Sequence, residues 1–280
     1  MGEPKRPSLL TARRSCHTRR VSVKPVTPLP AATLVLLRET NPGVEVLLTQ
    51  RHTANKFAGG DFVFPGGKIE VDDNPDDAIA WCTGLDPARA AARIGTPDTR
   101  TAIGYWVGAI RETFEEVGIL LAYDAAGNPA RVDAPRFDEY RAACQTDNQA
   151  FWTMVKTERF KLATDRFVFF AHWITPEESP YRYDTHFFAA PLPEGQRPVA
   201  DDHEVVDMRW FSPHGAIDAF QRGEISLRNP TVQNLKLCDG ASVKDVLERL
   251  DTREVPTIRP RVIMEGEKRK VLMPGDPGYY

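Results

Sequence analysis

The 280-residue chain has only four cysteines, Cys16, Cys82, Cys144 and Cys238, far apart and without a CxxC pair or a histidine at ligand spacing. That excludes a zinc ribbon, argues against a disulfide framework and favours a reducing compartment. No apolar run approaches the roughly 18 residues that a membrane helix needs, so no membrane partner is expected. There is no internal repeat. The body also lacks a basic surplus: residues 1–28 hold seven basic residues and one acid, a net +6, which leaves −9 on the remainder. An acidic body behind a short basic arm does not suit a protein that coats nucleic acid. With 41% hydrophobic and 27% charged residues, the chain can nevertheless bury a real core.

Composition and patterning divide the chain into a basic flexible arm (1–28), one domain (29–253) and a Pro-rich C-terminal tail (254–280). The arm mixes Arg, Ser, Thr and Pro without apolar periodicity. Short β-like runs follow at Ala32–Leu37, Val44–Thr49 and Asp61–Pro65, the last ending at Gly66-Gly67, adjacent glycines that after a strand usually make a tight turn. Helices are expected over about 136–145 and 148–160, then strands at Arg166–Ile174, Asp184–Ala190 and Val205–Phe211. Ser212 is placed to cap a helix running to Arg222, and two more helices are expected near 230–238 and 243–250. Strands and helices alternate without a regular βα repeat. The expected class is therefore α/β, with a mixed sheet between helical layers and extra C-terminal helices.

Ile103–Gly118 (IGYWVGAIRETFEEVG) carries the chemistry. At about 100° per residue, Glu112, Glu115 and Glu116 fall within roughly 100° of one another, opposite Ile103, Trp106, Val107, Ile110, Phe114 and Val117. An amphipathic helix with a solvated acidic face would account for this pattern. However, three glutamates at i, i+3 and i+4 repel one another, and they lie toward the helix C-terminus, where the macrodipole disfavours anions. A divalent cation relieves both penalties, and hard cations take oxygen ligands.

Upstream, Gly67 is followed six residues later by Asp73, and Arg111-Glu112-Thr113-Phe114-Glu115-Glu116-Val117-Gly118-Ile119 closes a pattern. Together these segments resemble the Nudix hydrolase signature G-x5-E-x7-R-E-U-x-E-E-x-G-U, where U is aliphatic. Asp73 replaces the expected Glu, Thr113 replaces an aliphatic, and 37 residues separate Asp73 from Arg111 where the signature has seven. The excess is an insertion at about 78–104, in which Asp86-Pro87 opens a helix-like run to about Ile94.

The resemblance implies a Nudix fold, an α/β/α sandwich around a mixed β-sheet, with Mg²⁺ or Mn²⁺ as cofactor. It implies Glu112, Glu115, Glu116 and Glu70 as metal ligands, backbone support from Gly66 and Gly67, and Arg111 orienting the glutamates by ion pairing. Such enzymes often recruit a later carboxylate, and Glu204 is the candidate here. Among these residues Glu115, Glu116, Arg111 and Glu204 are the expected catalytic set.

Residues 47–67 are narrower in meaning. They resemble the motif L-L-T-x-R-(S/A)-x3-R-x3-G-x3-F-P-G-G of Nudix coenzyme A diphosphatases, with Leu47, Leu48, Thr49, Arg51, Gly60, Phe64, Pro65, Gly66 and Gly67 in place. His52 departs from Ser/Ala, and Lys56 stands where Arg is expected, which keeps the charge but loses the bidentate fork. Tyr183–Phe188 and Arg209-Trp210-Phe211 also resemble the branch with a long insertion in the box. The expected substrate is a small nucleoside diphosphate derivative, coenzyme A or acyl-CoA, contacted by Arg51, Lys56, Gly66 and Gly67. ADP-ribose, NADH or a nucleoside triphosphate would suit the same box, and a non-catalytic Nudix-fold module is the reading from another class. A cytoplasmic enzyme is expected, with a homodimer as the candidate assembly.

Overall fold

Strand β1 (Leu29–Thr40) shows why the domain is layered. Its side chains alternate: Ala32, Leu34 and Leu36 enter one apolar cluster, while Val35 and Leu37 enter another on the opposite face of the sheet. A strand buried on both faces needs a helical layer on each side. In this computed structural model, which describes residues 26–54, 58–201, 203–266 and 268–279, both layers are present.

After β1 come β2 (Gly43–Arg51), β3 (Phe62–Val63) and β4 (Gly66–Lys68), then α1 (Pro87–Ile94), α2 (Thr99–Val117) and β5 (Ala122–Tyr123). Helices α3 (Arg136–Cys144) and α4 (Gln149–Thr157) precede β6 (Lys161–Leu162), β7 (Val168–Ile174), β8 (Tyr183–Pro191) and β9 (Val205–Phe211). The chain continues through α5 (Pro213–Gln221), α6 (Asn229–Leu237), α7 (Val243–Thr252), β10 (Thr257–Ile258), β11 (Arg261–Glu265) and β12 (Lys268–Leu272). The eight-stranded mixed sheet runs β10-β7-β8-β1-β2-β3, with β4 paired to β1 and β9 to β2. Strand β1 lies parallel to β8 and antiparallel to β2 and β4. Helices α1 to α4 contribute to the first cluster, and α5 to α7 to the second. This is the expected α/β/α sandwich.

Three differences from the sequence expectations have local causes. Gly66 and Gly67 form a strand rather than a turn, pairing with Thr33 and Ala32. A Cβ at Gly66 would sit 2.3 Å from the Ala32 carbonyl oxygen, so only glycine lets the two backbones approach this closely. Helix α2 starts four residues before Ile103, because the Asp98 side chain caps it by accepting the Arg100 N–H. The C-terminal segment joins the fold: Thr257 and Ile258 pair in parallel with His172 and Trp173, and β11 and β12 form a hairpin. Residues 1–25 of the basic arm lie outside the described residues.

Candidate active site

Helix α2 ends at Gly118, whose φ of 68° closes it, and its last two turns lie against β4. The acidic face is not solvated. Glu116 is buried, Glu112 and Glu115 are largely so, and Glu112 and Glu116 lie against the glycines of β4. Glu116 Oε2 accepts the Gly66 N–H at 3.0 Å. A Cβ on Gly67 would lie 2.5 Å from Glu112 Oε2, so the second glycine leaves room for a carboxylate rather than for a turn.

Arg111 reunites the split motif. It is 2% exposed and every guanidinium nitrogen is engaged. Nε donates to Asp73 Oδ1 at 2.7 Å and Nη2 to Asp73 Oδ2 at 3.1 Å and to the Lys68 carbonyl at 2.9 Å. Nη1 lies 3.0 Å from Glu112 Oε1 and 3.0 Å from Glu115 Oε2. Asp73, noted in the sequence only as a departure from the expected Glu, thus holds the arginine that orients the glutamates. Gly108 lets the segment come close: a Cβ there would stand 2.6 Å from Ile69 Cδ1 and 2.9 Å from Asp73 Oδ2. Thr113, the other departure, is fully buried and donates its hydroxyl to the Ala109 carbonyl at 2.7 Å, so its polarity is satisfied within the helix. Trp152 of α4 donates its indole N–H to the Asp72 carbonyl at 2.6 Å and pins the same segment, a contact with no signal in the sequence.

The other expected residues distribute unevenly. Arg51 stands at the end of β2, its Nη2 3.9 Å from Glu204 Oε2 and its buried Nε without a hydrogen-bond partner. Its charge acts on Glu116, and Glu204 acts on both Glu112 and Glu116, so both residues share the glutamates' environment. Glu204 is positioned by its loop: Asp201 accepts the backbone N–H groups of His203, Glu204 and Val205, and the Glu204 carbonyl accepts the His52 N–H at 3.0 Å. Glu70 begins the 3-10 turn Val71–Asp73, with its backbone N–H donating to Asp73 Oδ2 at 2.8 Å. Lys56 lies outside the described residues.

Burial dominates the electrostatics. It raises Glu112 to about 7 against the opposing charge of Arg111, and Glu115 to about 8 in the same way. Glu116 is pushed well above the ordinary carboxylate range by burial and then by Glu112, with Arg51 and the Gly66 N–H opposing. Glu115 Oε1 is buried without a hydrogen-bond partner. Desolvated carboxylates crowded together, with an acceptor oxygen to spare, fit a hard divalent cation taking oxygen ligands.

The family model for the NUDT19 Nudix domain matches residues 98–237, half of the chain and all of α2. The chain belongs to this Nudix family. It is a hydrolase of the kind that acts on diphosphate bonds, and Nudix hydrolases use divalent metals. Among its relatives, a Xenopus laevis protein named acyl-coenzyme A diphosphatase NUDT19 is 26% identical, over 85% of this chain and 70% of its own. The human protein of the same name is also 26% identical, over 85% of this chain and 72% of its own. A crystal structure of a Nudix hydrolase from Alicyclobacillus acidocaldarius superposes with a TM-score of 0.62 at 25% identity, covering 75% of this chain and 90% of that one. Among the described residues no helix is long and apolar enough to cross a membrane.

Proposed function

We propose that the protein is a Mg²⁺- or Mn²⁺-dependent diphosphatase that hydrolyses coenzyme A or acyl-CoA to 3′,5′-ADP and (acyl-)4′-phosphopantetheine. The observation that carries this reading is Arg51. It is the cation of the coenzyme A motif, and it reaches the glutamate cluster with a buried, unpaired Nε. The names of the amphibian and human relatives support the same substrate.

In this reading Glu112, Glu115 and Glu116 hold the metal, with Glu70 as a further ligand. A bound divalent ion polarises a phosphate oxygen and lowers the pKa of water. The chain's own groups do the rest. Arg111, fixed by Asp73 and Lys68, holds Glu112 and Glu115 apart from each other and in place. The Gly66 N–H keeps the Glu116 carboxylate turned to β4. Arg51 and Lys56 bind the diphosphate's negative charge. Glu204, whose side chain is 62% exposed, takes the proton of the attacking water as its oxygen bonds to phosphorus and the P–O anhydride bond breaks.

The test is a panel of coenzyme A, an acyl-CoA, ADP-ribose, NADH and ATP with Mg²⁺ or Mn²⁺, products being identified by mass spectrometry in ¹⁸O-water. The highest kcat/KM is expected for coenzyme A or its acyl form, and preference for ADP-ribose would overturn the substrate assignment. Glu116→Gln should abolish metal-dependent turnover of every substrate; retained turnover would overturn the site. Lys56→Ala should raise KM for coenzyme A more than for ADP-ribose, and equal effects would remove the argument from the motif.

A further inference from the structure

A second cluster of ligating side chains lies on the sheet, away from the glutamates. Strands β7 and β8 are antiparallel, and their register sets His172 directly opposite His186. Asp184 is two residues before His186, so both project from the same face of β8. His172 Nε2 lies 2.5 Å from Asp184 Oδ1, and His186 Nδ1 lies 3.8 Å from the same oxygen. One ligand atom from each of the three residues falls within 4.8 Å of the others.

His186 makes this more than a histidine–aspartate pair. It is 4% exposed, and neither ring nitrogen makes a hydrogen bond of normal geometry, although the Ile94 backbone lies near the ring. Tyr105 packs on its ring at 4.2 Å between centroids, Phe169 at 5.3 Å and His172 at 4.1 Å. A polar ring held among aromatics without a well-formed hydrogen bond is unfavourable and needs a reason.

We propose that His172 Nε2, Asp184 and His186 Nδ1 form a second metal site, for a borderline divalent ion of the Zn²⁺ type. Two imidazoles and one carboxylate match that ion class, whereas the all-oxygen glutamate cluster matches Mg²⁺ or Mn²⁺. Metal–nitrogen bonds of about 2.0–2.1 Å set neighbouring tetrahedral ligands roughly 3.4 Å apart. The 2.5 Å and 3.8 Å pairs lie on either side of this spacing, within about 1 Å of it. The outer shell is also in place: Thr257 Oγ1 lies 2.9 Å from His172 Nδ1, which fixes the ring with Nε2 turned to the metal. Asp184 is a third exposed, which leaves an entry path and a position for water.

The two sites are distinct. Ala32 on β1 pairs with His186 on one side and Gly67 on the other, so these residues stand two strand spacings apart, about 10 Å. Along α2, Tyr105 over His186 precedes Glu112 by seven residues, about 10 Å of helix. A metal here would tie β8 to β7 and, through Thr257, to the C-terminal segment, a structural brace outside the reaction.

The test uses the full chain, stripped with chelator and dialysed with one equivalent of Zn²⁺ or Co²⁺ against excess Mg²⁺. Retained metal is measured by elemental mass spectrometry, and Co²⁺ ligation by its visible absorption. Wild type and Glu116→Gln are each expected to keep about one equivalent with nitrogen-ligated Co²⁺ bands. Asp184→Asn and His172→Gln should lose it, and Thr257→Val should weaken it about tenfold. Far-UV circular dichroism checks that the variants fold, and the near-isosteric Asp184→Asn carries the test should His172→Gln not fold. No retention by wild type against Mg²⁺ would overturn the proposal and leave His172–Asp184 as a hydrogen-bonded strut. Unchanged retention in Asp184→Asn, or loss in Glu116→Gln, would place the metal elsewhere and overturn it equally.

Discussion

Replacing Asp73 by Asn would damage the fold more than removing a glutamate from the candidate active site. Asp73 is 1% exposed and accepts three hydrogen bonds, from Arg111 Nε, Arg111 Nη2 and the Glu70 backbone N–H. An asparagine has one acceptor oxygen in place of two. With its oxygen in the Oδ2 position it keeps the Nη2 and Glu70 bonds but turns an NH2 group against Nε. The reverse orientation turns the NH2 group against both Nη2 and the Glu70 N–H. One charge-assisted hydrogen bond is lost, about 1.5–3 kcal/mol, and a buried guanidinium loses its closest counter-charge. Removing one partner of a buried ion pair costs about 3–5 kcal/mol. Arg111 keeps Glu112, Glu115 and the Lys68 carbonyl, so the lower end applies, about 3 kcal/mol.

For a domain of this size that corresponds to a fall in Tm of about 6–12 °C. Glu116→Gln is the control. Burial already holds this carboxyl well above its ordinary range, and an amide oxygen can still accept the Gly66 N–H, so the metal-free variant should stay within about 4 °C of wild type. Thermal unfolding by circular dichroism in chelator reads both. A metal-free Asp73→Asn protein within about 1 kcal/mol of wild type would refute the reasoning that Arg111 is held chiefly by Asp73.

Three further outcomes follow from the same geometry. Gly67→Ala puts a methyl 2.5 Å from Glu112 Oε2, so activity should fall by about tenfold or more, in line with the cost of a roughly 1 Å misplacement, while Tm changes little; undiminished kcat would show that Glu112 need not stay where it is. Glu112 and Glu115 have folded pKa values raised to about 7 and 8, so the metal-free fold binds protons more tightly than the unfolded chain. Their stabilisation is therefore full below about pH 4.5 and lost as pH rises through about 7 and 8; added Mg²⁺ should flatten that decline and, in calorimetry at pH 7 across buffers of different ionisation enthalpy, release protons, and uptake or no transfer would contradict it. Glu204→Gln should lower kcat by about 10²–10⁴-fold without moving Tm, and an unchanged kcat would remove its role as base.

Much of this was legible in the sequence because it is local. The alternation through Leu34, Val35, Leu36 and Leu37 and the 3.6-residue spacing of α2 are set by near neighbours, and the elements fall within a few residues of where those periods put them. Pairings were not legible. That β8 would lie parallel to β1, some 150 residues away in sequence, and bring His186 beside Ala32 follows from burial on both faces of the sheet, which periodicity does not encode. The environment of the glutamates was hidden for a related reason. A helical wheel separates acids from apolar residues but cannot tell solvent from a second buried face, and here the acids face paired glycines and a buried arginine.

The same distinction explains how a catalytic signature tolerates an extra 30 residues. What it needs is the convergence of Gly66–Asp73 with the last turns of α2, and that convergence is held by contacts rather than by chain length. Gly66 docks on β1, Gly67 and Gly108 remove the side chains that would keep the segments apart, and Arg111 bonds to Lys68 and Asp73 across the junction. Closing a longer loop costs little, because each doubling of length adds only about 0.6 kcal/mol. The insert offsets even that by forming α1, capped by Asp86 and packed on α2. Its helix meets the N-terminal half of α2, and Thr99 lies 13 residues before Glu112, about 20 Å along the axis. The insertion therefore lengthens the connection between the two halves of the site while leaving undisturbed the contacts that join them.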